Sequence, residues 1–123
     1  MPHFKLEYST NVMEEPDPKE FFARVHKLLA ELGPFSIDSM KSRIIPCPKY
    51  FVSDGKKDQA FVHLELAILP GRDAELKKRV SAELLAMLKN AFSITAAEKI
   101  CSFTVEIREL DGDSYSKELT GEV

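Results

Sequence analysis

Four residues in this chain are suited to moving a proton on an anionic molecule: Pro2, Lys41, Arg43 and Arg72. Pro2 follows the initiator methionine in the opening "MPHFKLEYS". Loss of Met1, expected because the next side chain is small, would turn the proline nitrogen into a secondary amine, a group found nowhere else in a polypeptide. An amine with a pKa near the working pH can take a proton from one atom and return it to another. Proline also tolerates the start of a strand, where no ladder donor is needed, so the residue alone leaves both readings open.

Arg72 stands in "LPGRDAEL", where a strand gives way to a helix. Backbone N–H groups and the positive dipole end make such a junction an anion site. A guanidinium there can bind a carboxylate through two parallel bonds or stabilise an enolate oxygen. The competing reading is a surface-helix arginine whose charge Asp73 and Glu75 offset. Lys41 and Arg43 lie two apart on a predicted strand and so share a face. His3 and His63 read as structural or interface residues. His3 alternates away from Phe4, His63 shares a strand face with Glu65, and His26 falls on the polar side of a helix. No HxxxH or paired-carboxylate spacing supports a metal site. Phe51 could cover a ligand ring, but an aromatic there is more often packing.

The elements that must position these residues follow from hydrophobic period. Residues 2–8 alternate as a strand, with Phe4, Leu6 and Tyr8 on one face. Asp17 is a candidate N-cap, Pro18 takes the first helical position and Glu20 completes a capping-box pattern. Phe21, Phe22, Val25, Leu28, Leu29 and Leu32 recur at helical spacing until Gly33-Pro34. A short strand is predicted over 39–45, ended by "PCP", and "KYFVSDGKKDQ" is a hairpin or loop. "AFVHLELAILPG" is the clearest strand. A helix over about 73–92 buries Leu76, Val80, Leu84, Met87, Leu88 and Ala91. "CSFTVEIREL" is a further strand, and the polar tail 111–123 is expected to wrap a neighbour or fray.

The order is therefore β-α-β, loop, β-α-β: unit one spans about 2–47 and unit two about 60–110 of a single domain. Each crossover makes its two strands parallel within a shared sheet. The predicted class is α+β, with two helices on one face of a four-stranded sheet. Its uncovered face is expected to be apolar enough to be buried by self-association.

The 123-residue length suits one domain, and 44% apolar with 30% charged residues reads as an ordinary soluble globular protein. The net charge of −3, from 20 acidic and 17 basic residues, argues against nucleic acid as a partner. No apolar run reaches the ~18 residues of a membrane span, and no secretory signal is visible. Cys47 and Cys101 lack CxxC spacing, so two free thiols in a reducing cytoplasm are expected.

The opening "MPHF" with its strand, the doubled β-α-β plan, "SRI" closing unit one and "AFVHLELAILPGR" opening unit two resemble the tautomerase superfamily. Within it the chain is most similar to the 5-carboxymethyl-2-hydroxymuconate isomerases, from Pro2 to about Leu110. That resemblance implies two pseudo-symmetric units, a homotrimer and a site around the N-terminal proline near a subunit boundary. It implies a reaction without metal or organic cofactor, in which a 2-hydroxymuconate-type dienol, a di- or tricarboxylate of aromatic catabolism (homoprotocatechuate breakdown), becomes its conjugated keto isomer. It makes Pro2 and Arg72 catalytic and places substrate-binding cations at Lys41 and Arg43. The family carries two arginines in that segment. Lysine at position 41 offers a point charge in place of a bidentate clamp. The alternatives are a non-catalytic binding trimer of the same fold, or a tautomerase for another unsaturated acid.

Overall fold

The apolar alternation of the strands and the helical stripes meet in one core. In the computed structural model, which describes residues 1–121, the elements are β1 (His3–Ser9), α1 (Pro18–Leu32), a 3-10 turn (Ile37–Ser39), β2 (Lys41–Cys47), β3 (Gln59–Ile68), α2 (Ala74–Ala91), α3 (Ser93–Glu98) and β4 (Ile100–Glu109). Tail positions 122–123 lie outside the described residues. The sheet order is β2-β1-β3-β4, with β1 parallel to β2, β3 parallel to β4, and the two halves joined antiparallel through β1 and β3. Phe4, Leu6, Leu64 and Leu66 on the sheet pack with Val25 and Leu29 of α1 and with Val80, Leu84 and Leu88 of α2. This is the expected α+β plan of two β-α-β units. No described helix is long and apolar enough to cross a membrane.

Several local expectations are corrected. Asp17 is the N-cap residue of α1, but its side chain makes no cap hydrogen bond, so no capping box closes. The first turn is held instead by the Phe21 N–H to the Asp17 carbonyl, 2.9 Å, and by the preset φ of Pro18. Gly33 ends α1 in an extended conformation with φ −168°. Its lack of a Cβ gives room, since a methyl there would stand 3.1 Å from Phe35 and 3.2 Å from Leu76. β2 starts later than predicted, after the 3-10 turn, and runs through Pro46, which an edge strand tolerates. Residues 48–58 form a loop, and a hairpin is impossible because β1 lies between β2 and β3. α3 adds a third helix that the two-helix plan lacked.

The uncovered sheet face also differs from expectation. Cross-strand rows on it read Lys41–His3–Ala67–Arg108, Arg43–Lys5–Glu65–Glu106 and Ile45–Glu7–His63–Thr104. It is largely a polar and charged face, with Arg108 paired to Glu65 and Glu106 at 3.5 and 3.7 Å. The period-two alternation sent nearly every apolar side chain of β1 and β3 to the helix side. Self-association cannot therefore rest on an apolar sheet face.

Candidate active site

Sheet topology gathers the sequence-predicted residues at one end of the molecule. Because β1 runs parallel to β2 and antiparallel to β3, the starts of β1 and β2 lie beside the end of β3, where the α2 junction begins. His3 is flanked by Lys41 on one side and Ala67 on the other. The Lys41 N–H donates to the Pro2 carbonyl at 3.0 Å, tying the buried proline to the first residue of β2. Pro2 stands one residue before β1, so its missing N–H costs the sheet no bond.

In this chain the Pro2 nitrogen is an amide joined to Met1, and the terminal amine is that of Met1. The Met1 amine is held below its ordinary value, first by partial burial and then by repulsion from Lys117, Lys41 and Arg72. Three cations from three separate parts of the chain thus bear on one amine. Both effects disfavour the ammonium form.

Arg43 reaches the same corner through His3. Its Nη2 lies 3.3 Å from His3 Nδ1, and His3 Nε2 lies 2.9 Å from the Tyr115 hydroxyl. A guanidinium can only donate, which assigns His3 Nδ1 as acceptor and leaves Nε2–H to donate to Tyr115. The His3 pKa is lowered too, by burial first and then by Arg43, Lys41, the terminal amine and Lys117.

Arg72 is fixed by its neighbours. Gly71, at φ 125°, turns the chain out of β3 in a conformation that L side chains rarely adopt. The Arg72 Nη2 then donates to the Pro34 carbonyl at 3.0 Å, and its guanidinium carbon lies 4.6 Å from the Phe35 ring centroid. One of its five N–H groups is committed to Pro34, and the fork is oriented before any anion arrives. The helix-end anion site expected beside it is partly consumed. The Asp73 carboxylate caps α2 by accepting from the Leu76 N–H at 2.8 Å. The donor group left uncommitted at this junction is mainly the guanidinium.

The charges in this corner differ from the other cations in their partners. Lys56, Lys77, Lys99 and Arg108 each meet a carboxylate within 4 Å. Among the described residues no such pair involves Lys41, Arg43, Arg72 or Lys117. Lys41 instead donates to the Ser39 carbonyl at 3.0 Å. Lys41, Arg72 and Lys117 thus bear on the terminal amine, and Arg43 on the neighbouring His3.

The other candidates lie outside it. His63 binds across to β4, 2.6 Å from the Thr104 hydroxyl and 3.8 Å from Glu106. His26 meets the Ser42 hydroxyl and stacks on Phe4, with ring centroids 5.7 Å apart, and burial lowers its pKa. Phe51 is 77% exposed on the 48–58 loop, its ring against Gly55, and is not part of the site. The Cys101 thiol is pushed up to about 11 by burial and by Glu14, which leaves it protonated and unreactive. Among the described residues no cluster of three or more His, Cys, Asp or Glu side chains could hold a metal. A groove lined by Met13, Glu15, Phe21, Arg24 and Ile94 lies past the opposite end of β1 and is rimmed with acids.

Sequence reasoning missed Tyr115, Lys117 and the role of His3. The tail "DGDSYSKELTGEV" reads as a polar end, and its isolated aromatic is the one signal that it docks.

The family described as 5-carboxymethyl-2-hydroxymuconate isomerase matches residues 2–120. A 5-carboxymethyl-2-hydroxymuconate Delta-isomerase from Escherichia coli is 34% identical over 110 residues, covering 89% of this chain and 87% of the relative. The crystal structure of a 5-carboxymethyl-2-hydroxymuconate isomerase from Deinococcus radiodurans R1 superposes with a TM-score of 0.86 at 30% identity, covering 97% of this chain and 90% of that one. A fused 4-OT wild-type symmetric trimer shares the fold, with a TM-score of 0.68 at 12% identity over 88% of this chain and 85% of that one.

Proposed function

The chain belongs to the 5-carboxymethyl-2-hydroxymuconate isomerase family, and from that premise we propose that Pro2 is the general base of a cofactor-independent proton shift in a 2-hydroxymuconate-type substrate. Once Met1 is removed, the prolyl amine takes the proton of the dienol hydroxyl. Electrons move toward the chain, a carbonyl forms at the former enol carbon, and the prolyl ammonium returns the proton to a chain carbon. No electron acceptor is needed, because a single proton leaves and a single proton arrives. Arg72 faces the oxygen that carries negative charge in the dienolate, and Lys41 and Arg43 bind carboxylates.

The observation that carries this reading is the group of cations around the amine, none of which forms an ion pair among the described residues. A free α-amine has a pKa of about 7.7–8.0, and a prolyl amine is expected higher, so at neutral pH it would be protonated. Partial burial first, then Lys117, Lys41 and Arg72, lower the Met1 amine, and a Pro2 amine freed beside it would meet the same cations, in the direction a base at neutral pH requires.

The protein is further proposed to be a homotrimer. β2 and β4 are open edges, with Ile45 on one and Ile100 on the other exposed, and the fused 4-OT neighbour is a symmetric trimer.

The test compares isomerase rates on 5-carboxymethyl-2-hydroxymuconate for the mass-verified Pro2 form and a form retaining Met1. Only the Pro2 form should turn over, with kcat/KM rising with pH to a plateau whose limb lies below the pKa of a free prolyl amine. Equal rates would place the base elsewhere and leave Pro2 a strand starter.

A further inference from the structure

The C-terminal tail does not trail away from the sheet. After β4 the Leu110 N–H bonds the Ile68 carbonyl at 2.7 Å, which keeps the chain beside the end of β3. Asp111 then closes a turn, accepting the Ser114 N–H on its carbonyl at 3.2 Å and the Ser114 hydroxyl on its carboxylate at 2.7 Å. The turn delivers Tyr115 to His3, where the hydroxyl bond is joined by an edge-on ring contact with centroids 6.1 Å apart. Lys117 follows two residues later, within about 7 Å along the backbone. It bears on both the Met1 amine and His3. Asp113 and Glu118 are its nearest acids in sequence, and among the described residues neither forms an ion pair with it.

We infer that this tail is part of the substrate site: Lys117 binds a carboxylate remote from the reacting enol, and Tyr115, bonded to His3, is the positioning residue that holds Lys117 there. The inference rests on the proposed reaction and names a determinant of its substrate class. A 2-hydroxymuconate core has two carboxylates and one developing oxyanion, which Lys41, Arg43 and Arg72 match one for one. A fourth cation is in excess for a dicarboxylate and in balance for a tricarboxylate bearing a carboxymethyl arm. Arg43 cannot easily supply it, since part of its fork is given to His3. The tail thus makes the corner selective for the third carboxylate.

The experiment measures kcat and KM on 5-carboxymethyl-2-hydroxymuconate and on 2-hydroxymuconate for the full-length chain, Lys117→Ala, Lys117→Arg, Tyr115→Phe and the Tyr115→Phe/Lys117→Ala double variant. Losing one charge-assisted bond should lower the tricarboxylate-to-dicarboxylate preference roughly tenfold in Lys117→Ala, through KM on the tricarboxylate with kcat nearly constant. Lys117→Arg should keep most of the preference. Tyr115→Phe should lose part of it, and the double variant should be no worse than Lys117→Ala, because two residues acting on one contact are not additive. A preference unchanged within about twofold in Lys117→Ala overturns the inference. So does a double variant in which the two losses add in full. If the wild type turns over neither substrate, the reaction itself is wrong, and calorimetry with tricarballylate still decides the tail's role. Binding weaker by roughly tenfold in Lys117→Ala supports it, and equal binding removes it.

Discussion

Arg72 holds the α1–β2 connection and faces the proposed anion site, and Arg72→Ala separates the two jobs by their magnitudes. On the structural side the variant loses the bond to the Pro34 carbonyl and the contact with the Phe35 ring. A charged hydrogen bond contributes about 1.5 kcal/mol at the low end of its range, appropriate to a half-buried group. The exposed cation–π contact adds about 0.5–1 kcal/mol. The sum, about 2 kcal/mol, corresponds in a chain of this size to a fall in Tm of roughly 6–10 °C. On the chemical side, removing a preorganised donor from a developing oxyanion costs about 3–4 kcal/mol, or roughly 10²–10³ in kcat/KM. Arg72→Lys should keep a charge near the site but lose the planar fork and its stacking, recovering only part of the rate. The assay pairs thermal denaturation at fixed protein concentration with initial isomerase rates well below each variant's Tm. Rates that fall only as far as the unfolded fraction explains would show that Arg72 is a loop clamp and nothing more. Near-wild-type kinetics in both variants, with the fold intact, would equally refute the assignment.

Glu14 should prove one of the costlier surface-accessible positions. Its carboxylate accepts from the Ile94 N–H at 2.7 Å, the Thr95 N–H at 3.2 Å and the buried Thr95 hydroxyl, so Glu14→Ala should cost about 2–3 kcal/mol in urea denaturation; a loss under about 0.5 kcal/mol would contradict the capping role. Stability should fall as pH drops below about 6.5, because His3 and His26 are both held below that value in the fold and the unfolded chain then binds protons the fold refuses. The loss should level off below the folded pKa values, and a His3→Gln/His26→Gln variant should show a shallower slope of Tm against pH between about 6.5 and 5; an unchanged slope would assign the effect elsewhere. Light scattering should give a mass of about 42 kDa, three times the 13.9 kDa chain, and a stable monomer at micromolar concentration would refute the trimer.

Much of the fold was legible because its signals are local. Period-two alternation in β1, β3 and β4, and the 3.6 period of α1 and α2, each lie within one element and predict both its type and its buried face. The unread parts depend on partners distant in sequence. α3 is only six residues long, and its start is held by Glu14, some eighty positions earlier, so no helical stripe announces it. β2 extends through Pro46 only because it is an edge strand, which the sequence cannot state before the strand order is known. The candidate site divides the same way. Pro2, Lys41, Arg43 and Arg72 could be chosen by residue type and local setting. Tyr115 and Lys117 lie in a stretch without periodicity, and only the turn at Asp111 and the His3 contact bring them to the others.

The antiparallel join between the two β-α-β units explains why these residues meet at all. A parallel arrangement of β1 and β3 would put the start of unit one beside the start of unit two, far from the loop that follows β3. The antiparallel pairing brings the first residue of one unit against the strand–helix junction of the other. The amine, Lys41 and Arg43 then come from unit one, Arg72 from unit two, and Lys117 from the tail beyond it. Crowding cations here costs stability, since each repels the next in a partly desolvated corner. The paired cations elsewhere on the surface show that the chain has carboxylates available to neutralise charge. Among the described residues none pairs with Lys41, Arg43, Arg72 or Lys117, which fits the proposed site, whose counter-charge would arrive with the substrate. The same repulsion that weakens the empty fold would lower the amine pKa and bind the dienolate, so stability and activity should trade against each other at these residues.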